Sequence, residues 1–138
     1  MAAVARLKRR PEFLRVAAGR RKWVAPGLIL QALRQDDSTS STEGTAPARV
    51  GFTASAKVGN AVVRNRARRR LRAVAASVLT RHAQPAHDYV LIARAGTVKR
   101  RFADLVADLE AGLKRLGLYR EDAEAMAANG ESENSHAA

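Results

Sequence analysis

The stretch KVGNAVVRNRARRRLR, residues 57–72, carries seven cationic side chains and no acidic one. Asn60 has a side chain that commonly caps the start of a helix. In the helix that follows, apolar residues recur at three- and four-residue spacing, at Val63, Ala67, Leu71, Val74 and Val78. The arginines fall mostly off this apolar stripe. We therefore expect a helix with one buried face and a cationic outer face.

The arginines of this helix repel one another, by roughly a few tenths of a kcal/mol for each like-charge pair three or four positions apart. Exposed helices usually relieve such repulsion with Glu or Asp, but none occurs between Gly44 and His87. A solvated helix face is the alternative interpretation of a charge run. The absence of carboxylates favours a partner that carries phosphates.

Two strands are predicted next to this helix. Before it, Val50, Phe52, Ala54 and Ala56 alternate with Gly51, Thr53, Ser55 and Lys57. This period of two places the first set against a core and leaves the second as a small polar, cationic face. After it, Tyr89 to Ala93 (YVLIA) predicts a buried strand. The two strands could be parallel neighbours with the helix as their crossover.

The rest of the chain adds helices at both ends. Pro11 and Glu12 suit the first turn of a short helix, with Phe13, Val16 and Ala17 on one face and Gly19 at its end. Leu28 to Leu33 favours a strand, although a helix stays open. The final helix has an apolar stripe before Gly117, formed by Phe102, Leu105, Val106, Leu109, Leu113 and Leu116. The predicted order is helix, two or three strands, helix, strand, helix.

Length and composition predict one domain, residues 1–120, which contains a flexible loop and is followed by a tail. Gln35 to Pro47 is rich in Ser, Thr, Gly and Asp and is expected to be a flexible hairpin loop, residues 35–48. Residues 121–138 are acidic, lack a sustained apolar stripe and are expected to be a disordered tail. Residues 1–120 carry 25 basic and eight acidic residues, a net charge of +17 against +12 for the whole chain.

The composition also limits the compartment. There is no cysteine, so nothing requires an oxidising environment. The basic N-terminus is not followed by an apolar signal core, and no stretch is long and apolar enough for a membrane span. We expect a soluble cytoplasmic protein without a membrane partner. Aromatic residues make up only 4% of the chain. In binding a single-stranded nucleic acid, positive charge must therefore contribute more than the stacking of aromatic rings on bases.

The sequence shows no catalytic centre of its own. A nuclease would usually need clustered carboxylates for a divalent metal or a histidine pair, and neither is visible. His82, His87 and His136 are better explained as solvated or capping residues. Phosphate-loop, HExxH and GxSxG motifs are absent. No catalytic or metal-ligating residue is predicted, and any activity is expected to belong to a partner.

Several polar and aromatic residues have both a structural and a binding interpretation. Asn65 is either a surface residue or a group whose amide contacts a base or sugar edge. Thr53, Ser55 and Lys57 are either an exposed strand side or part of a binding face. Phe13 either packs on the sheet or faces a ligand. Trp23 either stacks on a base or anchors a strand.

At KVGNAVVRNRARRRLR the sequence resembles the protein subunit of bacterial ribonuclease P, whose motif is Arg-Asn-Arg followed by further basic residues. The resemblance includes the preceding RVGFTAS, the later YVLIARAG and the basic LKRRPEF near the start. It covers about Leu7 to Gly117, apart from the loop. It implies an α+β or α/β two-layer sandwich like domain 2 of ribosomal protein S5, in the order α-β-β-β-α-β-α. The central sheet would be mostly antiparallel and four-stranded, with a parallel pair joined by a left-handed crossover helix.

In that family the catalytic RNA cleaves precursor tRNA with Mg²⁺ and releases the 5′ leader. The resemblance implies that this chain binds ribonuclease P RNA through Arg64, Asn65, Arg66, Arg68, Arg69, Arg70 and Arg72. It implies that Phe13, Thr53, Ser55 and Lys57 line a cleft for the leader of precursor tRNA. Mg²⁺ would be bound chiefly by the RNA, and no stable protein partner is implied.

Two residues depart from the family pattern, because Ala17 and Gln31 stand where many members place aromatic residues. Two other functions stay open from the sequence. A structural RNA-binding protein of the ribosomal type shares the small size and high charge, and would differ in the RNA that copurifies. A DNA-binding protein with the basic helix in a major groove is less favoured, because no helix-turn-helix pairing is visible.

Overall fold

The computed structural model describes residues 4–35 and 46–121, which form a mixed sheet with helices on both of its faces. In chain order the elements are β1 (Val4–Arg6), α1 (Arg10–Ala18), β2 (Lys22–Val24), β3 (Leu28–Arg34), β4 (Ala48–Thr53), α2 (Ala61–His82), β5 (His87–Ala93), a short 3-10 helix (Ala95–Val98) and α3 (Phe102–Arg115). The predicted α+β class is confirmed, and each helix predicted from the sequence is present.

The sheet has five strands in the order β1-β4-β5-β3-β2. The β1–β4 and β4–β5 pairs are parallel, and the β5–β3 and β3–β2 pairs are antiparallel. The expected mostly antiparallel sheet of four strands is therefore corrected to five strands with equal numbers of parallel and antiparallel pairs. The missed strand is β1, in which Val4 pairs with Ala48 and Arg6 with Val50. It has only three residues, too few for an alternating pattern to be visible.

The parallel pair β4–β5 is joined by α2, as the sequence predicts. The handedness of this crossover stays a prediction. The loop between β3 and β4 is not a hairpin connection, because β5 lies between those two strands and pairs with both. Residues 36–45 of that loop and 122–138 of the expected tail lie outside the described residues, so their expected flexibility stays untested.

Each face of the sheet has its own apolar cluster. The main core lies between the sheet and helices α2 and α3, and includes Leu30, Leu91, Leu71 and Leu109. A smaller cluster of Leu7, Val16 and Val90 lies under α1 on the opposite face. The expected two layers are therefore corrected to three. The YVLIA run explains the difference, since a strand that is apolar on both sides can be covered on both.

Three smaller expectations are corrected by burial. Of the two expectations for His82, solvated or capping, the solvated one is wrong, because the side chain is buried. Its Nδ1 donates to the carbonyl oxygen of Arg120 at 2.9 Å, and its ring stacks on Tyr119 at 4.4 Å between centroids. It holds the segment after α3 against the end of α2. Phe102 begins α3 but is 43% exposed, so the buried stripe of that helix starts at Leu105. Ala17 is exposed on α1.

Candidate nucleic-acid interface

Two residues before α2 fix where the helix begins. Asn60 is its N-cap, as predicted, because its Oδ1 accepts a hydrogen bond from the backbone N–H of Val63 at 3.0 Å. Gly59 has a φ of +153°, and a β-carbon there would lie 2.9 Å from the Val63 side chain. A side chain at position 59 would be strained on both counts. This turn sets the direction in which the following arginines project.

The outer face of α2 is cationic and uncompensated. Asn65, Arg66, Arg69 and Arg72 are exposed, whereas Arg64 and Arg68 are partly buried. Within residues 4–35 and 46–121, no carboxylate forms an ion pair with any arginine between positions 64 and 72. The Nε of Arg64 is buried and has no hydrogen-bond partner in the same ranges. Phosphate oxygens are suitable partners for such unpaired guanidinium groups.

Asn65 is held by a neighbour on the same helix. Its Oδ1 accepts a hydrogen bond of 2.6 Å from Nη2 of Arg68. One of the two lone pairs of the amide oxygen is therefore used, and the NH₂ group is the donor that Asn65 can offer to a base or sugar edge. The bond also orients the Arg68 guanidinium along the helix surface.

Arg70 differs from the other arginines of the motif. Its Nε donates to the carbonyl oxygen of Thr97 at 3.0 Å, and its Nη2 donates to the carbonyl oxygen of Arg100. These carbonyls belong to the 3-10 helix and to the turn that leads into α3. The Arg70 side chain is thus directed at its own chain, which separates it from the cationic face.

A cleft lies between α1 and the end of β4, where Phe13 and Thr53 line one pocket together with Lys8 and Arg10. The ring of Phe13 lies against Gly51 of β4, since a β-carbon there would lie 2.3 Å from Cε1 of the ring. Phe13 therefore packs on the sheet and also lines the pocket, and its contact with a ligand stays a prediction. Lys8 and Arg10 were not predicted to line this cleft, although the basic run before α1 could have indicated them.

Ser55 and Lys57 lie beyond the strand that was predicted to carry them. β4 ends at Thr53, and both residues are exposed in the turn that leads to α2. There the Oγ of Ser55 accepts a hydrogen bond from the backbone N–H of Lys57 at 3.3 Å. The alternation ends because the chain must turn toward Asn60. The two side chains thus lie between the cleft and α2 in the chain and line no part of the pocket around Phe13.

The position of α1 relative to the sheet depends on Glu12. Its Oε1 accepts hydrogen bonds from the backbone N–H groups of Arg9 and Lys8, both at 2.9 Å, and its Oε2 binds Nη1 of Arg49 at 3.0 Å. The hydrogen bonds from Arg9 and Lys8, followed by the charge of Arg49, lower the pKa of Glu12 below its ordinary value. The carboxylate thereby stabilises the turn that carries the cleft residue Lys8.

A buried carboxylate anchors the same side of the sheet. Asp88 accepts two hydrogen bonds from Arg49, at 2.8 and 2.7 Å, and a third from Nε2 of Gln35 at 3.0 Å. The hydrogen bonds with Asp88 raise the pKa of Arg49 above its ordinary value. This network was not predicted, because Arg49, Asp88 and Glu12 are far apart in the sequence.

Trp23 and Gln31 both lie on the sheet, and their surroundings differ. Trp23 packs against α3, where a β-carbon on Gly112 would lie 2.9 Å from its Cδ1, and Arg115 covers its ring at 5.0 Å. It is a packing anchor in this structure. Gln31 is half-buried and alternates with the core residues Leu30 and Ala32, so it lies on the face that α1 covers.

Neither a metal site nor a membrane segment is found in the part of the chain that the structure describes. No group of three or more His, Cys, Asp or Glu side chains there could hold a metal ion. No helix in the same part is long and apolar enough to cross a membrane.

The fold and these surfaces define a small basic α+β protein with one strongly cationic helix face. The sequence model of the ribonuclease P family matches residues 1–117. The chain is 54% identical over 112 residues to the ribonuclease P protein component of Paramagnetospirillum magneticum, covering 81% of this chain and 82% of that protein. It is 45% identical over 108 residues to that of Caulobacter vibrioides, covering 78% of this chain and 68% of that protein.

Solved structures agree on the fold. The Staphylococcus aureus ribonuclease P protein superimposes with a TM-score of 0.64 at 22% identity, covering 83% of this chain and 97% of that one. The Thermotoga maritima protein gives 0.59 at 19% identity, covering 75% and 90%. The chain belongs to the ribonuclease P protein family.

Proposed function

We propose that this chain is the protein subunit of ribonuclease P, which binds the ribonuclease P RNA and the 5′ leader of precursor tRNA during tRNA 5′ processing. The catalytic centre would belong to the RNA. Family membership supports the subunit role. The observation that carries the RNA-binding role is the cationic face of α2, which no carboxylate in the described part of the chain neutralises.

In this proposal Arg66, Arg69 and Arg72 contact phosphates of the RNA, since all three are exposed. Arg64 and Arg68 lie partly buried beside them and complete the charged surface. Such contacts fix the orientation of the protein and read no base sequence. Asn65 contributes its NH₂ group. Arg70 makes no phosphate contact in this proposal. It stabilises the position of α2, because its side chain donates hydrogen bonds to the carbonyl oxygens of Thr97 and Arg100.

The leader would occupy the cleft at the other end of the turn that precedes α2. Phe13 offers a ring for one unstacked base, and Lys8 and Arg10 offer charges for the backbone beside it. Thr53 adds a hydroxyl. Ser55 and Lys57 would contact the part of the RNA leader that runs between the cleft and α2, because both residues are exposed in the connecting turn. With Ala17 and Gln31 in place of aromatic residues, charge contributes more than stacking.

In this proposal Mg²⁺ is bound chiefly by the RNA. This chain contributes positive charge between two polyanions, which reduces their repulsion and the concentration of divalent cation needed to bring them together. It also restricts the position of the leader relative to the RNA.

The experiment is cleavage of a 5′-extended precursor tRNA by ribonuclease P RNA from the same organism at low Mg²⁺, with and without this protein. We expect cleavage only with the protein. The double variant Arg66→Ala, Arg69→Ala should require more Mg²⁺. A control of equal charge is Arg34→Ala, Arg120→Ala, whose side chains are exposed near the opposite end of α2.

The control should cleave at the wild-type Mg²⁺ concentration. Equal activity of the two double variants would show that the face of α2 has no special role. Tight RNA binding without any effect on cleavage would support a structural RNA-binding role of the ribosomal type instead.

A further inference from the structure

A second groove lies on the other face of the sheet from α1. The sheet contributes Val4, Arg6, Val50 and Phe52, and α2 contributes Arg72, Ala75 and Ala76. Its floor is apolar, and the two arginines are its charged groups. The open volume is about 150 Å³, about half of the roughly 300 Å³ at which pockets for drug-sized ligands begin. The groove therefore has room for about one ring system.

The groove is suited to a flat, anionic ligand. The guanidinium of Arg6 lies over the Phe52 ring, 5.0 Å from its centroid, so a planar cation and an aromatic ring already lie against each other. Among the residues that the structure describes, no carboxylate lines the groove. Among the strands that the structure describes, β1 lies at the edge of the sheet, so some of its backbone N–H and C=O groups face away from β4.

The groove is also continuous with the cationic face of α2. Arg72 belongs to both, and it follows Arg64 and Arg68 at four-residue spacing on one side of the helix. An RNA strand on those arginines would reach the groove at the end of the row. The small alanines at positions 75 and 76 leave the space that a ring would occupy.

We propose that this groove holds one unpaired nucleotide of the bound RNA, with its base against Phe52 and its phosphate at Arg6 and Arg72. The base packs against the Phe52 ring, as unpaired RNA bases commonly do on aromatic side chains. The inference rests on the proposed function, because it names a second contact of the same RNA. It places that contact on the opposite face of the sheet from the leader cleft.

The first test uses AMP as the probe and the ¹⁵N-labelled full chain, with the backbone amide shifts followed by NMR. AMP at millimolar concentration should shift the amides of Arg6, Ala75 and Ala76. Adenosine and inorganic phosphate alone should each shift them less, because each lacks half of the ligand. Ala76→Leu places a larger side chain into the groove from an exposed helix position and should abolish the shifts.

The second test measures the affinity of the full chain for ribonuclease P RNA. Ala76→Leu should weaken binding about tenfold, the effect of one lost stacking contact. Ala111→Leu adds the same bulk at an exposed position of α3 away from the groove, and should bind like the wild type. The Arg6→Gln variant should weaken binding as well, because the groove then loses one of its two cations.

Absence of AMP shifts at the groove, or equal RNA affinity of the Ala76→Leu and Ala111→Leu variants, would overturn the proposal. These failures are distinct from a failure of the subunit role. In that case the wild-type chain itself would not bind the RNA or promote cleavage. A shift confined to the amides around Phe13 would place the nucleotide in the leader cleft alone, and would also overturn the proposal that the groove binds a nucleotide.

Discussion

The ring of Phe13 packs directly on the α-carbon of Gly51, so closely that a β-carbon at position 51 would lie 2.3 Å from Cε1 of the ring. Gly51→Ala should therefore displace Phe13 and destabilise the fold by about 1–3 kcal/mol, as expected of an overpacked site. The affinity for precursor tRNA with a leader should fall by about tenfold, since one stacking contact is lost. Affinity for tRNA without a leader should not change.

A double-mutant cycle isolates the role of the ring. If Gly51→Ala acts through Phe13, it should have no further effect on leader affinity in a Phe13→Ala background. Binding measurements on the wild type, the two single variants and the double variant give this result directly. Additive losses would instead mean that Gly51 acts on the leader independently of the ring.

Arg69 and Arg70 are neighbours in the sequence but should differ in every measurement. Arg69→Ala should reduce the slope of log affinity against log salt concentration by about 0.7–0.9, the effect of one lost phosphate contact, and leave stability unchanged. Arg70→Ala should lower the free energy of unfolding by about 1.5 kcal/mol, because two charge-assisted hydrogen bonds to backbone carbonyls are lost. Its salt slope should match the wild type. Identical salt slopes for the two variants would contradict the separation.

The helices could be predicted because their signals are local. Asn60 caps α2, Gly19 follows α1, and the apolar stripe from Ala67 to Val78 is buried as its spacing indicates. The cationic face follows from the same periodicity, since residues off the stripe must face outward. The pairing of β4 with β5 could also be predicted, because a helix between two strands is the usual parallel connection.

The predictions that proved wrong concern features that depend on contacts between distant segments of the chain. β1 is recognisable only through its pairing with β4, and the hairpin expectation failed because β5 occupies the place beside β3. Arg70 looks like any other arginine of the motif until the carbonyl of Thr97 is known to lie beside it. Ser55 and Lys57 continue the alternation in sequence after the strand itself has ended.

Asp88 should be the carboxylate on which the sheet depends most. It is buried and holds Arg49 with two hydrogen bonds, so Asp88→Asn leaves that partly buried guanidinium with Glu12 as its one remaining carboxylate among the described residues. We expect a loss of about 3 kcal/mol in the free energy of unfolding, measured in urea. Asp104→Asn, in the first turn of α3, is the control and should cost less than about 1 kcal/mol. Equal losses for both variants would show that the network adds little.

Glu12 should give the stability of the fold a definite dependence on pH. Its folded pKa lies below the ordinary 4.5, so the unfolded chain holds the proton more tightly than the folded chain does. The stabilisation by the ionised carboxylate is therefore complete well above pH 4.5 and is lost as the pH falls through the folded pKa. Glu12→Gln cannot ionise, so it should be less stable than the wild type at pH 7 and should approach it in acid. Urea unfolding at a series of pH values measures the difference, and a difference that stays constant into acid would refute the role of the charge.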